Sequence, residues 1–298
     1  MRIQISLILV VSLLVIFTMP ALADFRQITK SETIKINPKQ VSSARFRIVQ
    51  SGNITVNGQA EYINLTLFIP QEGIESINVE GIWKYFYDEF GNKKVLIEWR
   101  NAKGVVNYRI DLVVRNDAKY FSMEKEIANA PEYLKGNDQI TFTPEIREMA
   151  YPYERTLKRA VELTELVHDY ITYDLSYVGE LKPSDWVYQN RRGVCVEYAN
   201  LLSSLLKASG IPTRYVVGYA YSSVENKLIG HTWVEILTVD GLWVSLDPTW
   251  LEAGYLDATH IKTVNRVDAN QTEILTFYGN GEVSWSRADD EIEFLGYA

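Results

Sequence analysis

Cysteine is almost missing from this sequence: Cys195 stands alone in 298 residues. No internal disulfide can form, so the fold must rest on its core. The lone thiol is then an inert buried residue, an intermolecular link or a reactive nucleophile. An excess of basic residues is missing too. With 30 Lys and Arg against 38 Asp and Glu, the formal net charge is -8, which gives nucleic acid and anionic lipid no general electrostatic attraction. Histidine is scarce at three residues. None of them has the paired spacing with a second ligand that marks structural zinc, so no metal and no cofactor is expected. After the N-terminus no apolar run is long enough to cross a membrane, so no integral span is expected there.

What is present begins with Met1-Arg2, an apolar run from Ile5 to Met19, and Ala21-Leu22-Ala23. A charged start, a hydrophobic middle and small residues at the exit are the pattern of a secretory signal. Residues 1–23 are therefore expected to be a signal peptide cleaved after Ala23 and the protein to be exported, or anchored at its N-terminus if the run is retained. The length and the 47% hydrophobic, 23% charged composition suit two folded domains.

From Thr33 to about Arg115, apolar and polar residues alternate in short runs: Phe46/Ile48, Ile63/Leu65/Leu67, Val95/Ile97/Trp99 and Tyr108/Ile110/Leu112/Val114. This period of two predicts strands, with Gly91-Asn92 as a hairpin turn and Gly58, Gly73 and Gly104 as punctuation. Residues 24–130 thus read as an antiparallel β-sandwich. From Tyr153 to Tyr170 the period becomes helical, through Leu157, Ala160, Val161, Leu166 and Val167. His168, on nearly the same face, reads as a packed structural histidine. Residues 131–298 form the expected second, α+β domain.

Cys195, Tyr198, Ala199, Leu202, Leu205 and Leu206 lie on one stripe at spacings of three and four, with Gly210 as the stop. Cys195 is then in the first turn of a helix, where unpaired amides and the dipole favour a thiolate and can hold an oxyanion. Downstream, Gly230 to Ile236 and Leu242 to Trp250 read as a hairpin. Val234, Ile236, Leu242, Val244 and Leu246 are all even-numbered, so a common apolar face requires paired numbers with an even sum. A five-residue loop centred on Val239 meets this condition and sets Asp247 directly across from His231, both pointing away from the apolar layer beside Trp233 and Trp243. A carboxylate beside a histidine fixes the ring's tautomer and leaves the other nitrogen to take a thiol proton. His260 reads as a rim or structural residue.

Four segments together resemble the transglutaminase-like superfamily over about residues 155–262: Gly193-Val194-Cys195-Val196-Glu197-Tyr198-Ala199, Gly210 to Tyr219, Gly230-His231-Thr232-Trp233-Val234-Glu235, and Trp243 to Thr249. The resemblance implies a papain-like core with the thiol on a helix and the histidine and acid on an antiparallel sheet. It also implies Cys195 as nucleophile, His231 as general base and then acid, and Asp247 as the orienting group. Gln189, six residues before the cysteine as in papain-like proteases, and Trp186, as in true transglutaminases, are the candidate second oxyanion donors. The expected reaction is hydrolysis of a protein, peptide or other amide. The flanking barrels of animal transglutaminases are not evident, which disfavours crosslinking. Amine transfer and a non-catalytic binding role are the alternatives.

Overall fold

The computed structural model describes residues 15–20, 41–266 and 272–298. Along the chain come β1 (Val15–Pro20), β2 (Ser43–Phe68), β3 (Ile74–Val79), β4 (Ile82–Tyr87), β5 (Lys93–Asp117) and β6 (Lys119–Tyr120). The helical part follows: α1 (Pro144–Ala150), α2 (Leu157–Tyr170), β7 (Thr172–Tyr173), α3 (Ser184–Asn190), β8 (Arg192–Gly193) and α4 (Cys195–Ala208). The chain then runs through β9 (Thr213–Ser222), β10 (Lys227–Leu237), β11 (Trp243–Asp247), β12 (Glu252–Ala253), β13 (Tyr255–Leu256) and β14 (Ile261–Arg266), and ends in β15 (Thr272–Gly279), β16 (Glu282–Arg287) and β17 (Glu291–Tyr297). The class is α+β.

Two very long antiparallel strands, β2 and β5, form the spine of the first sheet. β17, β16 and β15 pair in succession with the start, middle and end of β2, while β3 and β4 pair with opposite ends of β5. The spine bends at an irregularity between Val56 and Ala60, where Gly58 takes φ +102° and Gly104, the partner of Val56, takes +69°. Three residues of β2 there stand against one of β5, a bulge that interrupts the ladder. In β2 the buried apolar positions are even-numbered up to Ala60 (Phe46, Ile48, Ile54, Val56) and odd-numbered from Ile63 (Ile63, Leu65, Leu67). Both arms close on one core, so the short runs of the sequence are two strands folded over themselves.

The second sheet is antiparallel in the order β12-β11-β10-β9-β14. Its even-numbered residues Val234, Ile236, Val244 and Leu246 pack with Leu163 and Val167 of α2 and with Leu201, Leu202, Leu205 and Leu206 of α4. The α2 helix starts at Thr156, whose hydroxyl accepts the Arg159 N–H at 3.0 Å. Helix α4 is buried from Cys195 to Lys207, not along one stripe. The sheet covers one side and α1, α2 and α3 cover the rest, and Ser203 and Ser204 are small enough to sit inside.

The expected second domain, 131–298, needs correction at its end. Residues 272–297 return to the first sheet as β15 to β17, so the helix-bearing unit ends at β14. The units also share a core, because Tyr219, Tyr221, Leu228 and Ile261 of the second sheet pack into the apolar cluster of the first. Of the expected signal, residues 1–14 and 21–23 lie outside the described residues, and β1 pairs with β15 from Val15↔Phe277 to Pro20↔Thr272. Among the described residues no helix is long and apolar enough to cross a membrane.

Candidate active site

Helix α4 begins where α3 reverses. Arg191 takes a left-handed φ of +55°, and Arg192-Gly193 pairs with Thr172-Tyr173. The Glu197 side chain folds back so that one carboxylate oxygen accepts the Val194 N–H at 2.9 Å and the other the Lys182 N–H at 3.1 Å. A helix start would otherwise leave such donors unpaired. This fold-back requires Gly193, since a Cβ there would meet Glu197 Cβ at 2.4 Å. Cys195 is the first helical residue and 1% exposed. Burial pushes its thiol well above the ordinary range, against backbone N–H groups of Thr232 and Val196 that pull it down. The helix start was expected to favour thiolate; with water excluded, desolvation wins and the resting group is a thiol.

The β10–β11 hairpin keeps the even parity its apolar residues demand, but not the expected register. Val234 pairs with Leu246 and Leu237 with Trp243, so the five-residue loop 238–242 is centred on Asp240, where the Asp240 carboxylate holds the Thr238 hydroxyl and Gly241 takes φ +79°. His231 and Asp247 are therefore offset by two positions and meet diagonally across the hairpin, a reach that long side chains span. His231 Nε2 lies 2.8 Å from Asp247 Oδ2 and both residues are fully buried. β11 pairs with β10 only from Val234 onward, which leaves the edge at Thr232 open to the sulfur of Cys195. Among the described residues, His231 Nδ1 is buried without a hydrogen-bond partner. The ring stacks with Trp250 (centroids 5.3 Å apart, 14°) and with Trp233 (6.0 Å, 24°).

Asp247 is saturated. Oδ1 accepts the Thr249 N–H at 2.8 Å, and Oδ2 faces His231 and, at 3.0 Å, His260 Nε2. Burial alone would raise this carboxyl, but the two histidines more than offset it and hold it well below the usual range. His260 is no rim residue. It is 4% exposed, and its Nδ1 lies 2.9 Å from Asp257 Oδ1 and 3.5 Å from Glu252 Oε2. Burial opposes its charge, yet the hydrogen bonds to Asp247 and Asp257 raise its pKa well above normal. Burial also raises the Glu252 carboxyl to about 7. These donor atoms lie close together, and both His260 nitrogens face carboxylate oxygens at hydrogen-bonding distance. The available sequence signal was the acid-rich stretch Glu252 to His260, which has no period to place it.

The other candidates scatter. Trp186 is held against Tyr177 at 5.3 Å with the Lys182 ammonium over its ring, and Gln189 is exposed near the end of α3. Neither is among the groups bonded to Cys195, His231 or Asp247 in the described residues. Trp243 is under the Arg214 guanidinium and against Tyr133, away from His231. Missed by sequence reasoning is Tyr173, which packs on Trp250 and Tyr198 and couples electrostatically to Cys195. His168 accepts the structural role expected of it: its Nδ1 meets the Pro248 carbonyl at 3.0 Å, tying α2 to the residue after Asp247.

Comparison with known proteins finds likenesses over part of this chain. Residues 144–248 match the model of the transglutaminase-like superfamily. A protein-glutamine gamma-glutamyltransferase of Pseudomonas aeruginosa is 35% identical over 74 residues, 22% of this chain and 11% of that protein. An uncharacterised protein of Mycobacterium leprae is 39% identical over 64 residues, 20% of this chain and 22% of that one. The chain thus spans a small part of these relatives. A solved structure from Cytophaga hutchinsonii, provisionally named a cysteine protease, is similar over 85% of this chain and 91% of its own, with a TM-score of 0.57 at 17% identity, a likeness of fold. The unit that brings Cys195, His231 and Asp247 together is a transglutaminase-like domain.

Proposed function

We propose that this protein is an exported, thiol-dependent amide hydrolase in which Cys195 is the nucleophile, His231 the base and then acid, and Asp247 the group that orients His231. One observation carries the reading: His231 is buried with Nε2 on Asp247 at 2.8 Å and Nδ1 unengaged, one residue before the amide that faces the Cys195 sulfur. A base oriented by a carboxylate beside a thiol is what nucleophilic thiol catalysis requires.

Because burial keeps the thiol protonated, reaction starts from a neutral pair. Nδ1 takes the thiol proton as sulfur attacks the substrate carbonyl, and the negative charge on oxygen falls to backbone N–H groups of the first turn of α4. His231 then gives the proton to the departing amine, which leaves a thioester on Cys195. Water, deprotonated by the same nitrogen, attacks the thioester and restores the thiol. Trp233 and Trp250 support the transient imidazolium. The substrate class is protein, peptide or another amide.

A panel of amide substrates compared between wild type and Cys195→Ser tests the assignment. The variant is expected to fold and to lose at least about a thousandfold in rate; equal rates would end the enzymatic reading. Adding a labelled primary amine at millimolar concentration separates hydrolysis from transfer. Unlabelled acid as the main product is expected, and label in most of the product would make the protein a transferase, as the Pseudomonas relative is named. Export rests on the N-terminal pattern. The mature protein should begin at Asp24, which removes β1 and leaves β15 paired with β2; a mature chain retaining residues 1–23 would overturn cleavage.

A further inference from the structure

His260 sits in the segment between β13 and β14 and meets the same oxygen of Asp247 that His231 does. Its Nε2 is 3.0 Å from Asp247 Oδ2, and its Nδ1 is 2.9 Å from Asp257 Oδ1. A neutral imidazole has one N–H and one lone pair. It could satisfy one of these carboxylates and would set a lone pair against the other. The two acids do not relieve this conflict. Asp247 Oδ2, the oxygen facing the ring, also faces His231 Nε2, and Asp257 Oδ1 accepts the Thr259 amide and hydroxyl, so the oxygens facing the ring act as acceptors among fully buried side chains. Two attractive contacts require two N–H groups. The ring meets Trp233 edge-on at 5.4 Å and lies 5.7 Å from the His231 ring.

We propose that His260 is a resident imidazolium and a positioning residue: it fixes the Asp247 carboxylate, neutralises half of what that carboxylate offers, and so keeps His231 uncharged and ready to act as a base. A lone buried aspartate would draw a proton onto His231 and fill Nδ1, the nitrogen that must take the thiol proton. With His260 sharing Asp247 Oδ2, the carboxylate arrives already paired, and His231 keeps its orientation without being forced into the charged form. The same positive charge favours thiolate at Cys195. The groups that set the balance are His231 on β10, Asp247 on β11, Glu252 on β12 and Asp257 in the following turn; Cys195 in turn feels Glu197, Asp247 and Tyr173.

The inference rests on the proposed chemistry at Cys195, but its test needs no turnover. The chain has three histidines, so 15N-histidine NMR of the full protein resolves them, with His168→Gln and His260→Gln to assign signals. In wild type, both nitrogens of His260 should remain protonated at pH 7 while His231 is neutral. A singly protonated His260 at pH 7 would overturn the proposal whether or not any variant folds. Iodoacetamide labelling of Cys195 against pH then reads the electrostatic effect in His260→Gln, which keeps a donor for Asp247, and in His260→Gln/Asp257→Asn, which also removes the Asp257 carboxylate that faces the ring. Loss of a unit charge at this range should move the labelling inflection alkaline by about one pH unit, a tenfold slower rate below it. A lower rate with an unmoved inflection would mean that His260 merely packs, and would sink the proposal. If the protonation states and the shift are as expected while no amide is turned over, the proposed function fails and this inference stands.

Discussion

Inside the first sheet lie Phe46, Ile63, Leu65, Ile97 and Leu112, with its buried charges, Arg287 on Glu273 and Lys94 on Asp88, outside that apolar cluster, whereas the second sheet and the turn beside it bury Glu235, Glu252, Asp247, Asp257, His231 and His260 together. Both are antiparallel and both are closed against the other. The first is held by transfer of apolar area from water, which needs no partners and tolerates bending. The second must answer every buried charge: Glu235 is held by Arg214 at 2.7 Å and Lys262 at 2.8 Å, and Asp247 by two histidines and a backbone amide. Burying charge without such answers costs several kcal/mol per ion, roughly the margin of a whole domain. A molecule with an apolar way to close a sheet, used once, has a chemical reason not to use it the second time. Under the proposed function that reason is the proton His231 would move.

Asp247→Asn is the sharpest way to break the comparison, because it strikes both properties at once. The amide cannot accept from both imidazoles, and the buried positive charge of His260 loses its anion. Turnover should fall by about a thousandfold or more, and stability by about 3 kcal/mol. Urea unfolding together with rates per folded molecule separates the two. A variant that loses activity with unchanged stability would show that the network is not an energetic unit.

Leu65→Ala is the counterpart in the first sheet, where the side chain is fully buried. A loss of about 3 kcal/mol is expected from transfer and cavity, with kcat/KM per folded molecule unchanged and the same offset at every pH. Altered kcat/KM would mean that the spine of the first sheet shapes the site through the core the two sheets share.

Much of this was legible. The even-numbered set Val234, Ile236, Val244 and Leu246 fixed which face of the hairpin is apolar, and the helix of Cys195 follows from its stripe. Parity constrains register only to multiples of two, so the slip that puts His231 diagonal to Asp247 lay beyond it. Gly58 and Gly104 read as stops between strands; they are a bend inside two strands, since glycine permits either and only the partner strand decides. The return of residues 272–297 to the first sheet, and the arrival of His260 at Asp247, are contacts between segments distant in sequence that no local period encodes. Strand propensity says that a segment pairs, not with what.

Glu252→Gln gives the smallest effect and the most specific one. Glu252 Oε2 accepts the Asp257 N–H at 2.8 Å and is 3.5 Å from His260 Nδ1. Burial raises its carboxyl from 4.5 to about 7, with Asp257 and Asp247 adding to the rise and His260 opposing it. The folded state therefore binds this proton more tightly than the unfolded chain does. The resulting stability is fully present below the unfolded pKa, is lost as pH rises through the folded one, and leaves a buried anion above it. Glutamine keeps the acceptor for the Asp257 amide and never ionises. Wild type and variant should match near pH 5, and the variant should become the more stable by about 2 kcal/mol at pH 8. Urea unfolding at four values between these limits reads the slope directly. A difference that stays flat with pH, as for Leu65→Ala, would mean that the second sheet carries Glu252 as the first carries its leucines, without any charge held in reserve.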